Sequence, residues 1–353
     1  MTHHRSSDFH LNRPGALIAA LPAVLGFVPE KSLVLVAIDR GEMGAVMRID
    51  LSDDLADGLD HLADVVAAGG SDAVIAVIID SAGARCPMCN EEYRELCAEL
   101  ADRLTEHDVR LLDAHIVDQI ASGGRWHCVD GCGAGGRIDD PTCSPLTMAA
   151  VLDGRRLYAS RGELEAVIAP GENGPAGALA RAVEQLVAGG RGAREQDPEG
   201  CARRAVQDAI AAAGRMAAGE VLADAEVAAL GYALTDLTVR DTLYALAVGE
   251  LAGDAETLWA QLSRALPAPW RAEALTLLAF FAYARGDGPL AGVSLEEALR
   301  IDPAHRMAGM LDTALQSGMR PAQIRQLAAT GYRLAEGIGV QLPPRQDLGR
   351  RAG

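Results

Sequence analysis

Apolar positions follow two different rhythms along this chain. Ser32–Ile38 (SLVLVAI) and Ala73–Ile79 (AVIAVII) are nearly unbroken apolar runs, the pattern of strands covered on both faces. Gly44–Leu51 reads as a strand paired with the first through a turn at Asp39–Glu42, and Val109–Val117 reads as a fourth. Between them Leu55, Leu59, Leu62, Val65 and Val66 repeat at the spacing of one helix face, which Gly69 and Gly70 stop, and Asn90–Glu106 is helical again. Pro14 suits the first turn of a helix reaching Leu25, where its missing N–H would have had no helical partner. The alternation of strand and helix predicts a layered α/β domain with a mixed sheet over residues 1–170, behind a polar, frayed stretch at 1–12.

Behind this the rhythm changes. Strand signals disappear after residue 175, and residues 176–342 read as an all-helical domain rich in Ala and Leu, with breaks at Gly189–Gly200, Ala252–Asp254 and Ala265–Pro269. Pro170–Pro175 (PGENGP) is the expected boundary, and residues 343–353 form a basic, loose tail. Two domains also suit 353 residues, because a single core stops growing efficiently near 250–300. Inside the front domain, Ser122–Pro145 breaks into a Gly- and Cys-rich segment that reads as a long loop, and Met148–Ile168 as helix, a short strand near Arg155–Tyr158, and helix.

Charge narrows the function classes. With 32 Lys and Arg against 49 Asp and Glu the formal net charge is −17, and no long basic run interrupts it. Phosphate backbones and anionic lipid surfaces are held by clustered cations, so neither nucleic acid nor membrane is an expected partner. The apolar stretch Ala16–Val28 is too short to span a bilayer, carries Pro22 and Gly26, and runs straight into a strand, so it reads as a buried helix of a cytoplasmic protein rather than a leader.

Six of seven cysteines fall between residues 86 and 143. Cys86-x-x-Cys89 and Cys128-x-x-x-Cys132 are short-spaced pairs that could converge on one tetrahedral zinc, with His127 or Cys143 as alternates, and a structural zinc would also hold the irregular loop. A redox C-x-x-C, free thiols in a reducing cytosol, and disulfides in an exported chain remain the other readings. Asp80 and Ser81 follow the most buried strand, at the edge where open α/β sheets place ligands. Gly131-x-Gly133-x-x-Gly136 has dinucleotide-binding spacing, but Asp139, Asp140 and Pro141 stand where a helix should begin, so it reads as flexible loop. No G-x-S-x-G elbow, phosphate loop or H-E-x-x-H is present. His61, His107, His115 and His305 read as surface or core-edge residues, and Arg240-Asp241 and Arg156 with Arg161 as solvated charge ahead of an ion-pair network or an anion site.

Two resemblances add to this. Gly286, Ala291, Leu295, Ala298 and Pro303 resemble a tetratricopeptide repeat, echoed 36 residues earlier by Ala255, Trp259, Leu262 and Pro267. More broadly, Leu21-Pro22, Leu25–Pro29 (LGFVP), Ser32–Val34, Trp126 with Cys128 and Cys132, Ser160-Arg161, Val239–Asp241, Gly286–Gly288, Leu290-Ala291, Ala298-Leu299 and Asp302–His305 (DPAH) resemble the actinobacterial domain of unknown function 4192 family across nearly the whole chain. That resemblance implies a cytoplasmic protein and carries no catalytic residue with it. The functional expectation is a non-enzymatic protein-interaction or regulatory scaffold that meets a protein partner through its helical domain. The alternative is an enzyme or small-ligand binder at the strand ends near Asp80 and Ser81, with structural zinc as a clamp.

Overall fold

The computed structural model describes residues 13–39, 41–52, 55–152, 155–171 and 176–345. The frayed start, most of the tail, and 172–175 of the expected boundary lie outside the described residues. The chain forms two compact units, one up to Glu163 and one from Leu164, and each is described by itself.

The first unit contains α1 (Pro14–Leu25), β1 (Ser32–Asp39), β2 (Glu42–Asp50), α2 (Leu55–Ala68), β3 (Ala73–Ile79), α3 (Pro87–Glu106), β4 (Arg110–Val117), β5 (Arg125–Cys128), β6 (Gly135–Arg137) and α4 (Pro145–Leu152). Its six strands lie in one mixed sheet, ordered β2-β1-β3-β4-β5-β6. Only β3 and β4 pair in parallel, with α3 as their crossover; the other neighbours are antiparallel. Alternation within single strands sorts the core. Leu33 and Leu35 face Leu59, Leu62, Leu100 and Leu104 of α2 and α3, whereas Val34 and Val36 face Leu17, Ile18 and Leu21 of α1. Apolar cover on both faces is why the sequence shows runs rather than alternation.

The segment expected to be a loop, 122–145, is corrected by the structure: it holds β5 and β6, a hairpin that extends the sheet from β4. Its glycines concealed it. Gly131 and Gly133 take positive φ in the turn, and a methyl on Gly135 would lie 2.9 Å from the Trp126 carbonyl oxygen. Glycine is depleted from strands, so a hairpin that needs it for close approach reads as coil. The glycine triplet is therefore turn and edge strand, not flexible loop. The short strand expected near Arg155–Tyr158 is only an isolated parallel bridge between Phe27 and Tyr158.

Helix α5 (Arg161–Glu165) spans the division. The second unit follows as α6 (Ala176–Gln196), α7 (Pro198–Ala217), α8 (Asp224–Ala233), α9 (Leu237–Leu243), α10 (Ala252–Ala265), α11 (Arg271–Arg285), α12 (Gly288–Ile301), α13 (Arg306–Gln316) and α14 (Pro321–Gly337). Helix α11 is its axis. Every residue from Arg271 to Ala284 except Glu273 is buried, against α10, α12, α13 and α14. Ala255, Trp259, Leu262, Ala291, Leu295 and Ala298 are all fully buried on the flanking helices. Two expected breaks move. Helix α6 runs through Gly189, Gly190 and Gly192, the second of which is a glycine because any side chain there would collide with the Tyr232 ring, and α10 begins at Ala252 instead of stopping there. No helix is long and apolar enough to cross a membrane among the described residues.

Candidate functional site

Strand ends are the first place to look, because β3 and β4 are parallel neighbours and each stops at an aspartate. Asp80 is 8% exposed. Its Oδ1 accepts from the Ala82 N–H at 2.9 Å and its Oδ2 from the Tyr93 hydroxyl at 2.6 Å. Burial works to raise its pKa, but the Tyr93, Gly83 and Ala82 donors and the Lys31 charge outweigh that and hold it below the usual carboxylate value. Ser81, beside it, is exposed. Asp118, which the sequence reading passed over, is the equivalent residue of β4: its Oδ1 accepts from the N–H groups of Gln119 and Arg125, both at 2.7 Å, and Oδ2 meets Arg85 at 3.5 Å. The signal was available, as both strands end in an apolar pair followed by Asp. Both carboxylates tie down the backbone that leaves the sheet.

The cysteines gather in pairs. Helix α3 starts three residues earlier than the apolar period suggests, so Cys86 is its N-cap, Pro87 the first helical residue and Cys89 lies in the first turn. The amide of Cys89, then its thiol, and the Met88 amide hold the Cys86 pKa below that of an ordinary thiol, without closing a regular cap hydrogen bond. Cys89 is raised, by the Cys86 sulfur first, then burial, with the Asp80 charge adding to it. Cys128 and Cys132 are the second pair; burial first, then Cys132, raises the Cys128 pKa. Cys97, on the buried face of α3, is pushed up to about 12 by burial. Cys143 is exposed, and His127, half-buried, is lowered by burial. Among the described residues no three His, Cys, Asp or Glu side chains gather as a metal site. The structure thus brings the four candidate zinc thiols together two by two and not as four.

The helical unit holds buried charge where the sequence suggested solvated charge. Arg240, 8% exposed, donates to Glu273 Oε2 at 3.0 Å and to Asp241 at 3.1 Å. His305 is buried too: its Nδ1 accepts from the Ala308 N–H at 3.1 Å, which leaves the proton on Nε2 to donate to Glu273 Oε2 at 3.1 Å. Burial would raise Glu273, but His305 and Arg240 hold its pKa below the ordinary glutamate value. Arg271 pairs with Glu297 and donates to the carbonyls of Ser263 and Ile168, and Arg285 joins Glu256 to Asp287, the cap of α12. The reading of Arg240 as surface charge is therefore corrected. A dipeptide of opposite charges looks solvated until α9 is seen packed against α7 and α14. His115 is likewise buried, edge-on to Trp126 with ring centroids 4.9 Å apart, and burial lowers its pKa.

Between α6, α7 and α8 lies an open cleft of about 650 Å³. Ala205, Ala212 and Leu230 are among its apolar lining, and Arg194, Arg204 and Arg215 among its polar lining. Arg194 stacks over the Tyr232 ring, 3.9 Å from its centroid, and donates to the Tyr232 carbonyl, while Arg215 pairs with Glu226. Neither the alanine pattern nor the scattered arginines foretold a cavity, because it depends on how three helices splay.

Comparison with curated proteins and with solved structures finds no match. A family model does match, over residues 14–322. The groups that the Val239–Asp241, Gly286–Gly288 and DPAH motifs contribute, Arg240, Asp287 and His305, each meet a charged partner on or at the end of α11. The chain belongs to the family described as Domain of unknown function (DUF4192).

Proposed function

We propose that this is a cytoplasmic protein-interaction or regulatory scaffold, and that its helical unit receives a segment of a partner protein in the cleft between α6, α7 and α8. One observation carries the reading. The buried charges of both units are spent on the fold, and the three cleft arginines are held by Asp236, Asp197 and Glu226, whereas the apolar floor of the cleft stays open to solvent in a volume that suits a few side chains. The chemistry fits a short segment with small apolar side chains that can lie on this floor between the paired arginines. A ligand site at Asp80 and Ser81 has less support, because both Asp80 oxygens already accept hydrogen bonds.

The test uses the full chain carrying a photo-crosslinking residue at Ala229, exposed on the cleft wall, and in parallel at Met88, exposed in the first unit. The expected result is a discrete protein adduct from Ala229 that is absent from Met88 and is lost when Ala205→Glu places a carboxylate on the cleft floor. Equal adducts from both positions, or an adduct indifferent to Ala205→Glu, would refute the proposal.

A further inference from the structure

The first unit offers a second chemistry, independent of the cleft. A C-x-x-C pair gains meaning from its place in the fold, and here that place is the start of the crossover helix in the parallel β3-α3-β4 unit. Cys86 caps the 20-residue α3 and Pro87 fixes the first turn, so Cys89 sits one turn along on the same side. The extended backbone of Cys86 at the N-cap brings its thiol within hydrogen-bonding reach of the Cys89 thiol, the proximity from which a disulfide can close. Both thiols are half-buried and free. Cys97 lies deeper along the same helix, and Cys143 stands exposed in a 3-10 turn.

We propose that Cys86 and Cys89 form a reactive dithiol that reduces a low-molecular-weight disulfide by thiol–disulfide exchange and closes to the Cys86–Cys89 disulfide. In the first step the Cys86 thiolate attacks one sulfur of the disulfide; an S–S bond forms to Cys86, the original S–S bond breaks, and one thiolate leaves and takes up a proton. In the second, Cys89 gives up its proton to water and attacks the Cys86 sulfur, releasing the second thiolate. The chain loses two electrons and two protons, and the disulfide becomes two thiols. A dithiol such as dithiothreitol reverses the balance.

The roles are set by position. Cys86 is the attacking group because the partial positive charge of the helix N-terminus and the first-turn amides favour its thiolate. Cys89 is held protonated by the Cys86 sulfur and the nearby Asp80 carboxylate, so it waits until Cys86 is consumed. The Asp80 charge is kept in place by Tyr93, one turn beyond Cys89, whose hydroxyl donates to it at 2.6 Å.

The experiment treats the reduced full-length protein with oxidised glutathione at neutral pH and maps the trypsin digest. Cleavage after Arg85 and Arg94 yields the peptide 86–94 (CPMCNEEYR), which holds both thiols and no other cysteine. The expected result is that peptide lighter by two hydrogens, two equivalents of glutathione released, and Cys86 reacting at least about tenfold faster than Cys143, consistent with a lowered thiol pKa. Cys89→Ser should stop at a stable mixed disulfide on Cys86, and Cys86→Ser should abolish the fast phase. Both variants carry a near-isosteric change at half-buried positions, and unchanged far-UV circular dichroism is checked first; the wild-type peptide map decides the matter if either fails to fold. The proposal is overturned if no Cys86–Cys89 disulfide forms, if Cys86 reacts no faster than Cys143, or if the pair is blocked by tightly held stoichiometric zinc.

Discussion

Glu273 shows at the scale of one residue how this helical unit handles buried charge. Its Oε2 receives both Arg240 and His305, from α9 and from the cap of α13, so one carboxylate oxygen ties two elements to α11. A buried pair gains little against well-packed apolar residues, yet breaking it is costly because the remaining charge stays in low dielectric. Glu273→Ala leaves Arg240 with Asp241 alone and takes the acceptor from His305, and is expected to destabilise the unit by about 1–3 kcal/mol in urea unfolding. Glu273→Gln keeps the shape and should lose less. The pH dependence has a definite sign. The folded pKa lies below the ordinary 4.5, so this contribution is fully present above about pH 4.5 and is lost as pH falls through the folded value. Stability of Glu273→Gln should therefore vary less with pH on the acid side than that of the parent; equal acid limbs would show that the fold does not lower the Glu273 pKa.

At the scale of elements, glycine decides both what packs and what could be read. A methyl on Gly331 of α14 would stand 2.8 Å from the Thr242 carbonyl oxygen and 2.9 Å from Ala245, backbone atoms that cannot swing aside. Gly214 in α7 has nothing within 4 Å. Gly→Ala in an open helix position gains about 0.4–1 kcal/mol, whereas overpacking costs about 1–3 kcal/mol, so Gly331→Ala should lower the melting temperature and Gly214→Ala raise it. A rise for both would mean that α14 does not lie tightly on α9. The same property explains what was legible. The four long strands and α1, α2 and most of α3 announce themselves because aliphatic side chains fill their buried faces at the proper period. The β5–β6 hairpin did not, since Gly135 and Gly136 leave no side-chain pattern, and α6 was cut short on paper by three glycines, of which Gly190 admits Tyr232. Among site residues, Asp80 was legible from its place after an apolar run. The Arg240–Glu273–His305 cluster was not, because its members are 33 and 32 residues apart and meet only through the packing of α9, α11 and α13.

For the molecule as a whole, net charge and pairing act together. A chain at −17 repels polyanions at long range, and local exceptions would need clustered cations free to release counterions from phosphate. Here many of the described arginines are drawn inward or matched: Arg240, Arg271 and Arg285 are tied within the helical unit, Arg48 lies beside Ser32 and Asp50, and Arg13, Arg94 and Arg103 each meet a carboxylate. The three cleft arginines share their cavity with Asp208 and Glu226, so a long phosphate chain would meet repulsion on either side of them. Ordinary non-specific DNA binders reach roughly 10⁻⁴–10⁻⁶ M at physiological salt, with an affinity that falls steeply as salt rises. Fluorescence anisotropy with a labelled duplex should show binding weaker than that range at 150 mM salt and no steep gain on dilution to 50 mM. Micromolar binding with a slope of several counterions would place a basic surface among arginines outside these pairs, and would shift the search for a partner from proteins to nucleic acids.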